Sequence, residues 1–295
     1  MVSEYAFSKG IQMNVSKLLA STVACLLVTL APGASAQDDP LLKKIQALNW
    51  QHVTAEGNIA GRATFNLDNR LSLLDASNTN EFLVMQGNLP HTDTFTVASE
   101  DLRWFSIFKF LDEGYVKDDE KIDADALLTA MREGNESDAA ERKKRGLPGL
   151  FLEGWFIPPR YDQETKRLEW ATLLRSDSGR KVVNFSTKIL GRHGHMDVVL
   201  VSDPSEMEHD ILEFKAALKG FDYVAGEKYG EWKSGDKVAA YGLGALVLGG
   251  AAAIAAKKGL WAVLGGFLAA GWKILAGVAV AGVAGFKSFF KKKSS

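Results

Sequence analysis

The C-terminal end of the chain constrains the fold more than any other stretch, because residues 238–256 include no charged side chain. At about 1.5 Å per residue in a helix, these 19 residues are long enough for the roughly 30 Å hydrocarbon core of a bilayer. A second apolar stretch, residues 259–286, is interrupted only by Lys273. The pattern predicts a hydrophobic membrane anchor with a basic tail over residues 237–295, either one helix or a helical hairpin.

Lysines flank both apolar stretches, and residues 237–295 contain 8 lysines and no acidic residue. The flanking lysines include Lys237, Lys257, Lys258, Lys287 and Lys291. In the topology that we prefer, residues 238–256 span the membrane and the lysines that follow lie in the cytoplasm. This orientation obeys the positive-inside rule, and the tail lysines gain from contact with anionic lipid.

Other arrangements of the two stretches remain open. A hairpin of two spans places Lys273 near the middle of the membrane, at a cost of about 2.5–3.5 kcal/mol on insertion scales. A single span formed by residues 259–286 also contains Lys273. In a further alternative the Gly/Ala-rich run is a buried hairpin of a soluble domain. The uncharged run exceeds the length that most core helices need, which favours the anchor.

The N-terminal part of the chain resembles a secretory signal peptide ending at residue 36. Lys17 is its charged start, residues 18–30 are its apolar core, and residues 34–36 form a small-residue cleavage site. The polar prefix before Met13 suggests that translation begins at Met13. An uncleaved N-terminal anchor is the alternative.

The composition of the predicted mature chain excludes several chemistries. The sole cysteine, Cys25, lies in the signal peptide, so disulfides, thiolate catalysis and cysteine-based zinc sites are excluded after cleavage. Residues 37–236 contain 35 acidic and 25 basic residues, a net charge of −10. An exported domain of this charge is a poor binder of nucleic acid.

These features predict four parts of the chain. They are a signal peptide at residues 1–36, a periplasmic α+β domain at 37–220, a linker at 221–236 and the anchor at 237–295. The predicted location is the inner (cytoplasmic) membrane, with the domain facing the periplasm. The predicted fold class is α+β, an antiparallel sheet covered by helices.

Alternating polar and apolar residues predict the strands of this domain. Strands are expected at 61–67, 71–74, 92–97 and 104–110, followed by an antiparallel meander of 155–157, 167–174, 181–190 and 196–201. Pro158 and Pro159 are expected to end the first strand of the meander, because proline cannot donate to a strand ladder.

Capping residues and periodicity predict the helices. Asp123 is expected to cap a helix that ends at Gly134, and Ser137 to cap a second short helix. Ser205 and Glu208 fit a capping box that opens a helix covering the meander. The expected buried stripe of this helix is Met207, Ile211, Phe214 and Leu218.

Few residues suggest a metal or a cofactor. His193 and His195 are the sharpest metal suggestion, because residues two apart can face the same way, but a surface turn is the more common explanation. The acidic residues between Asp118 and Asp125 lack the glycine and distant glutamate of a calcium loop. Nucleophile elbows, phosphate loops and dinucleotide glycine fingerprints are missing from the sequence. We therefore predict no metal, no cofactor and no catalytic residue.

Polar residues at predicted strand ends give the one candidate binding cluster. They are Arg160, Asp162, Asn184 and Arg192. Sites often lie at such positions, although ordinary salt bridges do too.

Several stretches resemble a known protein family. They are Gly114-Tyr115-Val116-Lys117-Asp118-Asp119-Glu120, Gly154-Trp155, Pro159-Arg160-Tyr161-Asp162, Leu168-Glu169-Trp170-Ala171, Val183-Asn184-Phe185, Leu190-Gly191-Arg192, Ala239-Ala240-Tyr241-Gly242 and Ala256-Lys257-Lys258-Gly259-Leu260. Together they resemble the bacterial membrane-anchored proteins called domain of unknown function 2167, over nearly the whole predicted mature chain. The resemblance implies an exported, membrane-anchored protein of Gram-negative type bacteria. It implies no activity and no functional residue, because the family has none assigned.

The sequence thus predicts a non-enzymatic envelope protein that binds a protein or an envelope ligand and contacts lipid through its anchor. One alternative is a periplasmic hydrolase that uses the polar cluster. Another is a membrane-active helical hairpin that the acidic domain regulates.

Overall fold

The computed structural model describes residues 40–52, 56–68, 70–86, 90–144 and 149–249. The predicted signal peptide and residues 250–295 of the predicted anchor lie outside these ranges. Within the described ranges the chain forms an α+β fold in which antiparallel sheets pack against helices, as the sequence predicts.

Strands and helices follow one another irregularly along the described chain, as is typical of an α+β fold. In chain order they are α1 (Pro40–Gln46), β1 (Glu56–Ile59), β2 (Ala63–Asn66), β3 (Leu71–Leu74), α2 (Ala76–Met85), β4 (Thr94–Ser99), β5 (Trp104–Leu111), α3 (Ala124–Lys144), β6 (Leu150–Asp162), β7 (Arg167–Ser176), β8 (Lys181–Leu190), β9 (His195–Ser202), α4 (Met207–Ala217), β10 (Phe221–Tyr223) and α5 (Leu243–Val247).

Two antiparallel sheets make up the described β-structure. The larger has seven strands in the order β3-β4-β5-β9-β8-β7-β6, and the smaller has three in the order β1-β2-β10. Strands β6 to β9 are consecutive neighbours, which confirms the predicted meander. Strand β9 also pairs with β5, from Trp104 opposite Ser202 to Leu111 opposite His195, and this pairing joins the meander to β3–β5.

One face of the larger sheet, here called the α4 face, is covered by α4 and the smaller sheet. The ring of Phe65 lies 5.7 Å from that of Phe108, and the ring of Phe214 lies 5.9 Å from that of Trp104, centroid to centroid. The predicted stripe is confirmed, because its four side chains are buried: Met207, Ile211, Phe214 and Leu218. Burying a large apolar side chain contributes about 1.5–3 kcal/mol.

The opposite face, here called the α3 face, carries two apolar clusters. Near one edge of the sheet, Phe82 and Leu83 of α2 pack with Phe105 and Ile107 of β5. Near the other edge, α3 and α5 cover the side chains of β7 that point to this face. These β7 side chains are buried, as their spacing predicts: Leu168, Trp170, Thr172 and Leu174.

Strand β6 corrects the expectation that Pro158 and Pro159 end a strand. The strand continues through both prolines to Asp162, because β6 is an edge strand and needs no hydrogen-bonded neighbour on its outer side. Its register with β7 shifts between Ile157 and Arg160, around the prolines. Such bulges accommodate residues that cannot pair.

Two helix boundaries also differ from the predictions. Asp123 caps α3 as predicted, since its carboxylate accepts the N–H of Ala126 at 2.9 Å. The helix then continues past Gly134 to residue 144, so one helix replaces the two expected, because one interior glycine costs a helix only about 1 kcal/mol. The capping box predicted at Ser205 is absent, because the Ser205 hydroxyl donates to Asp203 instead.

Residues 221–236, predicted to be a linker, are part of the fold. Strand β10 adds Phe221 and Tyr223 to the smaller sheet and buries both. The Tyr223 hydroxyl donates to the Ile189 carbonyl at 2.7 Å and accepts the Met196 N–H at 2.8 Å. The linker prediction is therefore wrong, because the alternating apolar residues at its start continue the sheet.

The first 12 residues of the predicted membrane span, 238–249, also pack on the domain. Val238 forms a parallel bridge with Tyr115, and α5 buries Leu243, Leu246 and Val247. None of the helices in the described part of the chain combines the length and the apolar character needed to cross a bilayer. The packing of residues 238–249 differs from the prediction that a membrane span begins at residue 238, because their apolar side chains cover a protein core.

The outer edge of β6 is partly closed by side chains of α3. Asn135, which is 5% exposed, donates to the Leu150 carbonyl at 2.9 Å and accepts the Leu152 N–H at 2.7 Å. The Asn135 amide thus satisfies two backbone groups that a neighbouring strand would otherwise bind.

We expect Asn135→Ala to lower the free energy of unfolding by about 2–4 kcal/mol, because it leaves two buried backbone groups without a partner. Urea denaturation of the purified protein measures this change. Thr129→Ala is the control, since Thr129 lies on the exposed side of the same helix and bonds only within it. Equal destabilisation by the two variants contradicts the assigned role of Asn135.

Candidate functional site

The structure separates the four polar residues predicted as a binding cluster. Arg160 and Asp162 are exposed on the edge strand β6, and their partners on β7 share the α4 face. Asn184 of β8 is buried on the α3 face, opposite Thr172. Arg192 lies beyond β8, in the turn to β9. The four side chains therefore do not form one site.

Asp162 organises the turn between β6 and β7. Its carboxylate accepts the backbone N–H groups of Glu164 at 2.8 Å and Thr165 at 3.2 Å. The Thr165 N–H and then the Glu164 N–H hold the pKa of Asp162 below its ordinary value, because both stabilise the charged carboxylate.

Arg192 fixes a distant part of the chain to the β8–β9 turn. Its Nε and Nη2 donate to the two carboxylate oxygens of Asp236 at 2.7 and 2.8 Å. These hydrogen bonds, together with the Lys233 N–H, hold the pKa of Asp236 well below its ordinary value. Arg192 thus has a structural partner 44 residues away in the sequence.

The two histidines suggested as a metal pair have different environments. His193 Nδ1 lies 2.9 Å from Glu227 Oε2, and the other oxygen of Glu227 accepts from Arg62 Nη1 at 2.6 Å. His195 is 1% exposed, and its burial lowers its pKa to about 3, with Lys188 adding to the effect. His195 is therefore neutral at pH 7. His193 belongs to a part-buried hydrogen-bond network with Glu227 and Arg62.

A groove of about 500 Å³ lies beside α4, where β3, β4 and β5 meet its C-terminal half. Its lining comprises apolar residues and charges of both signs. The residues are Arg70, Leu71, Ser99, Glu100, Asp101, Arg103, Trp104, Glu213, Ala216 and Ala217. The volume lies in the range of small-ligand sites.

A hydrogen-bonded charge network forms one wall of this groove. Arg103 Nη2 donates to Glu213, and its Nε lies 3.1 Å from Asp210 Oδ1. The Trp104 indole N–H donates to Glu213 at 3.1 Å, and the Ser202 hydroxyl donates to the fully buried Asp210. Burial raises the pKa of Glu213, but the hydrogen bonds from Arg103 and Trp104 outweigh this effect and hold the pKa below its ordinary value.

Three potential metal ligands lie in this wall. His209, Asp210 and Glu213 have ligand atoms within 4.8 Å of one another. Arg103 already contacts both carboxylates, so a guanidinium occupies the position in which a cation would neutralise them. The group is therefore an ion-pair network centred on Arg103.

A charged row crosses the middle of the α3 face. Lys109, Asp197 and Lys188 are direct neighbours on β5, β9 and β8. Lys188 donates to Asp197, and its Nζ lies 5.7 Å from the centre of the Trp170 ring. Burial lowers the pKa of Lys109. The row separates the apolar cluster under α2 from the cluster under α3.

The acidic stretch at residues 112–120 receives the start of the C-terminal segment. Gly114 has φ +98°, and a Cβ on it would lie 2.9 Å from the Lys237 carbonyl oxygen. The Tyr115 N–H donates to that carbonyl at 2.8 Å, and the Tyr115 carbonyl accepts the Ala239 N–H at 2.9 Å. Glu120 accepts the Gly244 N–H at 3.1 Å.

Aromatic side chains pack around this contact. The ring of Tyr115 stacks on that of Tyr229 at 4.4 Å and lies 5.3 Å from that of Trp232. Lys166 Nζ lies 4.9 Å from the centre of the Tyr229 ring and 2.8 Å from an oxygen of Asp118. Segment 112–120 and segment 227–247 thus form one interface, here called the C-terminal docking site.

The comparison with protein families decides what the chain is related to. Residues 51–283, more than half of the chain, match the model of the family described as "Protein of unknown function (DUF2167)". The chain belongs to this family. The description assigns no activity to its members.

No curated protein matches the chain. A similar solved structure is the solution structure of cyanobacterial PsbP (CyanoP) from Synechocystis sp. PCC 6803, with a TM-score of 0.31 and 13% identity. The match covers 55% of this chain and 86% of that chain. At this TM-score the similarity supports no argument about fold or function.

Residues of this DUF2167 chain that carried the resemblance meet at the C-terminal docking site. Tyr115, Asp118 and Glu120 come from one motif, and Arg192 holds Asp236 at the other end of the same interface. Tyr115, Glu120 and Arg192 are therefore accounted for by contacts that hold the C-terminal segment on the domain.

Sequence reasoning missed the network beside α4. Glu213 follows Asp210 by three residues and His209 by four, spacings that bring side chains together on a helix. Arg103 is 110 residues from Glu213, and nothing in its local sequence indicates this partner.

We expect Asp236→Asn to lower the Tm at pH 7, because the neutral amide loses its charge contact with Arg192. The pKa of Asp236 is lower in the fold than in the unfolded chain, so the ion pair stabilises the fold above the ordinary pKa of about 3.9. The stabilisation is lost as the pH falls below this value. Circular dichroism melts should therefore show the Tm difference shrinking below about pH 4.

Asp222→Asn is the control for this change, because Asp222 forms an exposed ion pair with Lys228. Exposed pairs contribute little to stability. A Tm difference between Asp236→Asn and the parent that does not depend on pH contradicts the assignment.

Proposed function

We propose that the protein is a cell-envelope binding module, held at the inner membrane by the apolar sequence after Gly249 and facing the periplasm. The observation that carries the binding role is the groove beside α4, which has the volume of a ligand site and a charged wall. Support for the membrane placement comes from the apolar sequence of residues 259–286 and the lysines around it. The signal-like residues 13–36 support export.

The charges of the groove indicate the chemistry of its ligand. Its lining contains two arginines and three acidic residues, and Asp68 and Asp210 add negative charge behind the arginines. Both arginines are paired with carboxylates, and the acidic residues outnumber them, so the groove carries a net negative charge. The apolar wall includes Leu71 and Trp104. The groove therefore suits an apolar ligand with a positively charged group.

The hydrolase alternative required the four polar residues of the predicted cluster to lie together, and the structure separates them. Asn184 lies on the opposite face of the sheet from Arg160 and Asp162, and Arg192 is bound to Asp236. The membrane-active hairpin concerns residues outside the described ranges, and no described contact favours it.

Two truncations separate the anchor from the domain. A chain that ends after Gly249 keeps α5 and should stay folded, but it should move from the membrane fraction to the soluble fraction. A chain that ends after Lys237 loses the buried Leu243, Leu246 and Val247 and should melt at least 10 °C lower, because about 5 kcal/mol of apolar burial is lost. Fractionation after a carbonate wash, which removes peripherally bound protein, and circular dichroism measure the two effects. Membrane retention of the washed chain ending at Gly249 contradicts the placement.

The groove should prefer a cationic probe. We expect a short peptide of alternating lysine and leucine to bind more tightly than its glutamate–leucine counterpart in isothermal titration. Glu213→Gln should weaken this binding about fivefold, or about 1 kcal/mol, because it removes negative charge from the groove wall. Glu208→Gln on the exposed side of α4 is the control for net charge. Equal weakening by both variants places the peptide elsewhere on the acidic domain.

A further inference from the structure

We infer that the folded domain rests directly on the bilayer surface through a patch made of Trp232, Lys233, Lys237 and Val238, here called the Trp232 patch. The inference rests on the proposed membrane placement and goes beyond it, because it assigns lipid contact to residues of the folded domain. The partner is the headgroup layer of the membrane that holds the anchor.

The absence of a free linker in the described chain brings the domain close to the membrane. A flexible segment at 221–236 would let the domain stand off by roughly 50 Å, at about 3.4 Å per extended residue. Instead, Asp236 is bound by Arg192, and Lys237 and Ala239 are hydrogen-bonded to Tyr115. The chain is part of the fold as far as Gly249, the last residue described.

The exposed apolar residues of the domain point to the same region. Among the described residues, the large exposed hydrophobic side chains are Val84, Leu212, Trp232 and Val238. Trp232 and Val238, each 41% exposed, flank Tyr115: the ring of Trp232 lies 5.3 Å from the Tyr115 ring, and Val238 forms a backbone bridge with it. Tryptophan is enriched where a protein meets the membrane–water interface.

The patch also continues into the core that α5 completes. Tyr229, which stacks on Tyr115, belongs to the same buried cluster as Leu243, Leu246 and Val247. In the sequence, α5 is followed by the uncharged residues 248–256, two lysines and then the apolar stretch 259–286 ascribed to the anchor. This continuity favours lipid over a separate protein as the partner of the patch.

The charges around the patch suit an interface that does not depend on anionic lipid. Lys233 and Lys237 are exposed; Lys237 Nζ donates to the Asp112 carbonyl at 3.1 Å, and the side chain of Lys233 is long enough to reach headgroups. The acidic stretch at 112–120 lies beside them, and the domain as a whole carries excess negative charge. We therefore expect contact on neutral phosphatidylcholine as well as on vesicles with anionic lipid.

Site-directed spin labelling of the full chain in vesicles tests the inference. Cys25→Ser removes the native thiol, and Trp232→Cys and Val238→Cys each receive a nitroxide. Leu212→Cys and Val84→Cys are matched controls, since both residues are exposed apolar residues on α4 and α2. Power saturation with oxygen and with a water-soluble nickel chelate compares lipid and water access, and circular dichroism checks that each variant is folded.

We expect labels at 232 and 238 to lose at least half of their access to the nickel chelate in phosphatidylcholine vesicles, while the controls remain accessible. If the chain floats with vesicles but all four labels remain equally accessible to the nickel chelate, the inference is overturned. The proposed anchor is not contradicted by this result. A chain that does not float overturns both the inference and the proposed placement. Protection of 232 and 238 without vesicles shows contact with a second copy and also overturns the inference.

Discussion

The antiparallel pairing of β5 with β9 is the interaction on which the rest of the structure depends. It joins two parts of the larger sheet that are formed by chain segments roughly 90 residues apart, and Leu111 faces His195 at its end. A pairing of this separation costs loop-closure entropy before any contact is gained. Apolar layers on both faces of the sheet, under α4 and under α2 and α3, offset that cost.

The β5–β9 pairing also places the C-terminal docking site. Gly194 sits so close to the end of β5 that a Cβ would lie 1.9 Å from the Leu111 carbonyl oxygen. The turn 191–194 is therefore pressed against the start of segment 112–120, and Arg192 and His193 project to residues 227–236. Residues 221–236, which the sequence predicts to be a linker, become part of the domain because side chains of this turn bind to them.

Polar groups inside the fold divide into two kinds. Around the groove, Arg103 links the fully buried Asp210 to the partly exposed Glu213. On the α3 face, Lys188 and Asp197 are both buried and paired across neighbouring strands. A buried pair of this kind adds little to stability compared with apolar residues of similar size, but it gives the centre of the sheet a polar row that the helices on either side do not cross.

The sequence by itself determined the last three strands of the meander, the buried stripe of α4 and the α+β class, because alternation and helical spacing are local properties. Leu168, Trp170, Thr172 and Leu174 are an example, and their burial follows from their spacing alone. Only the tertiary structure decided where Arg192 and Arg103 find their carboxylates, since these partners are 44 and 110 residues away. It also decided the place of residues 238–249, because an uncharged run has the same composition whether it is solvated by lipid or by a protein core.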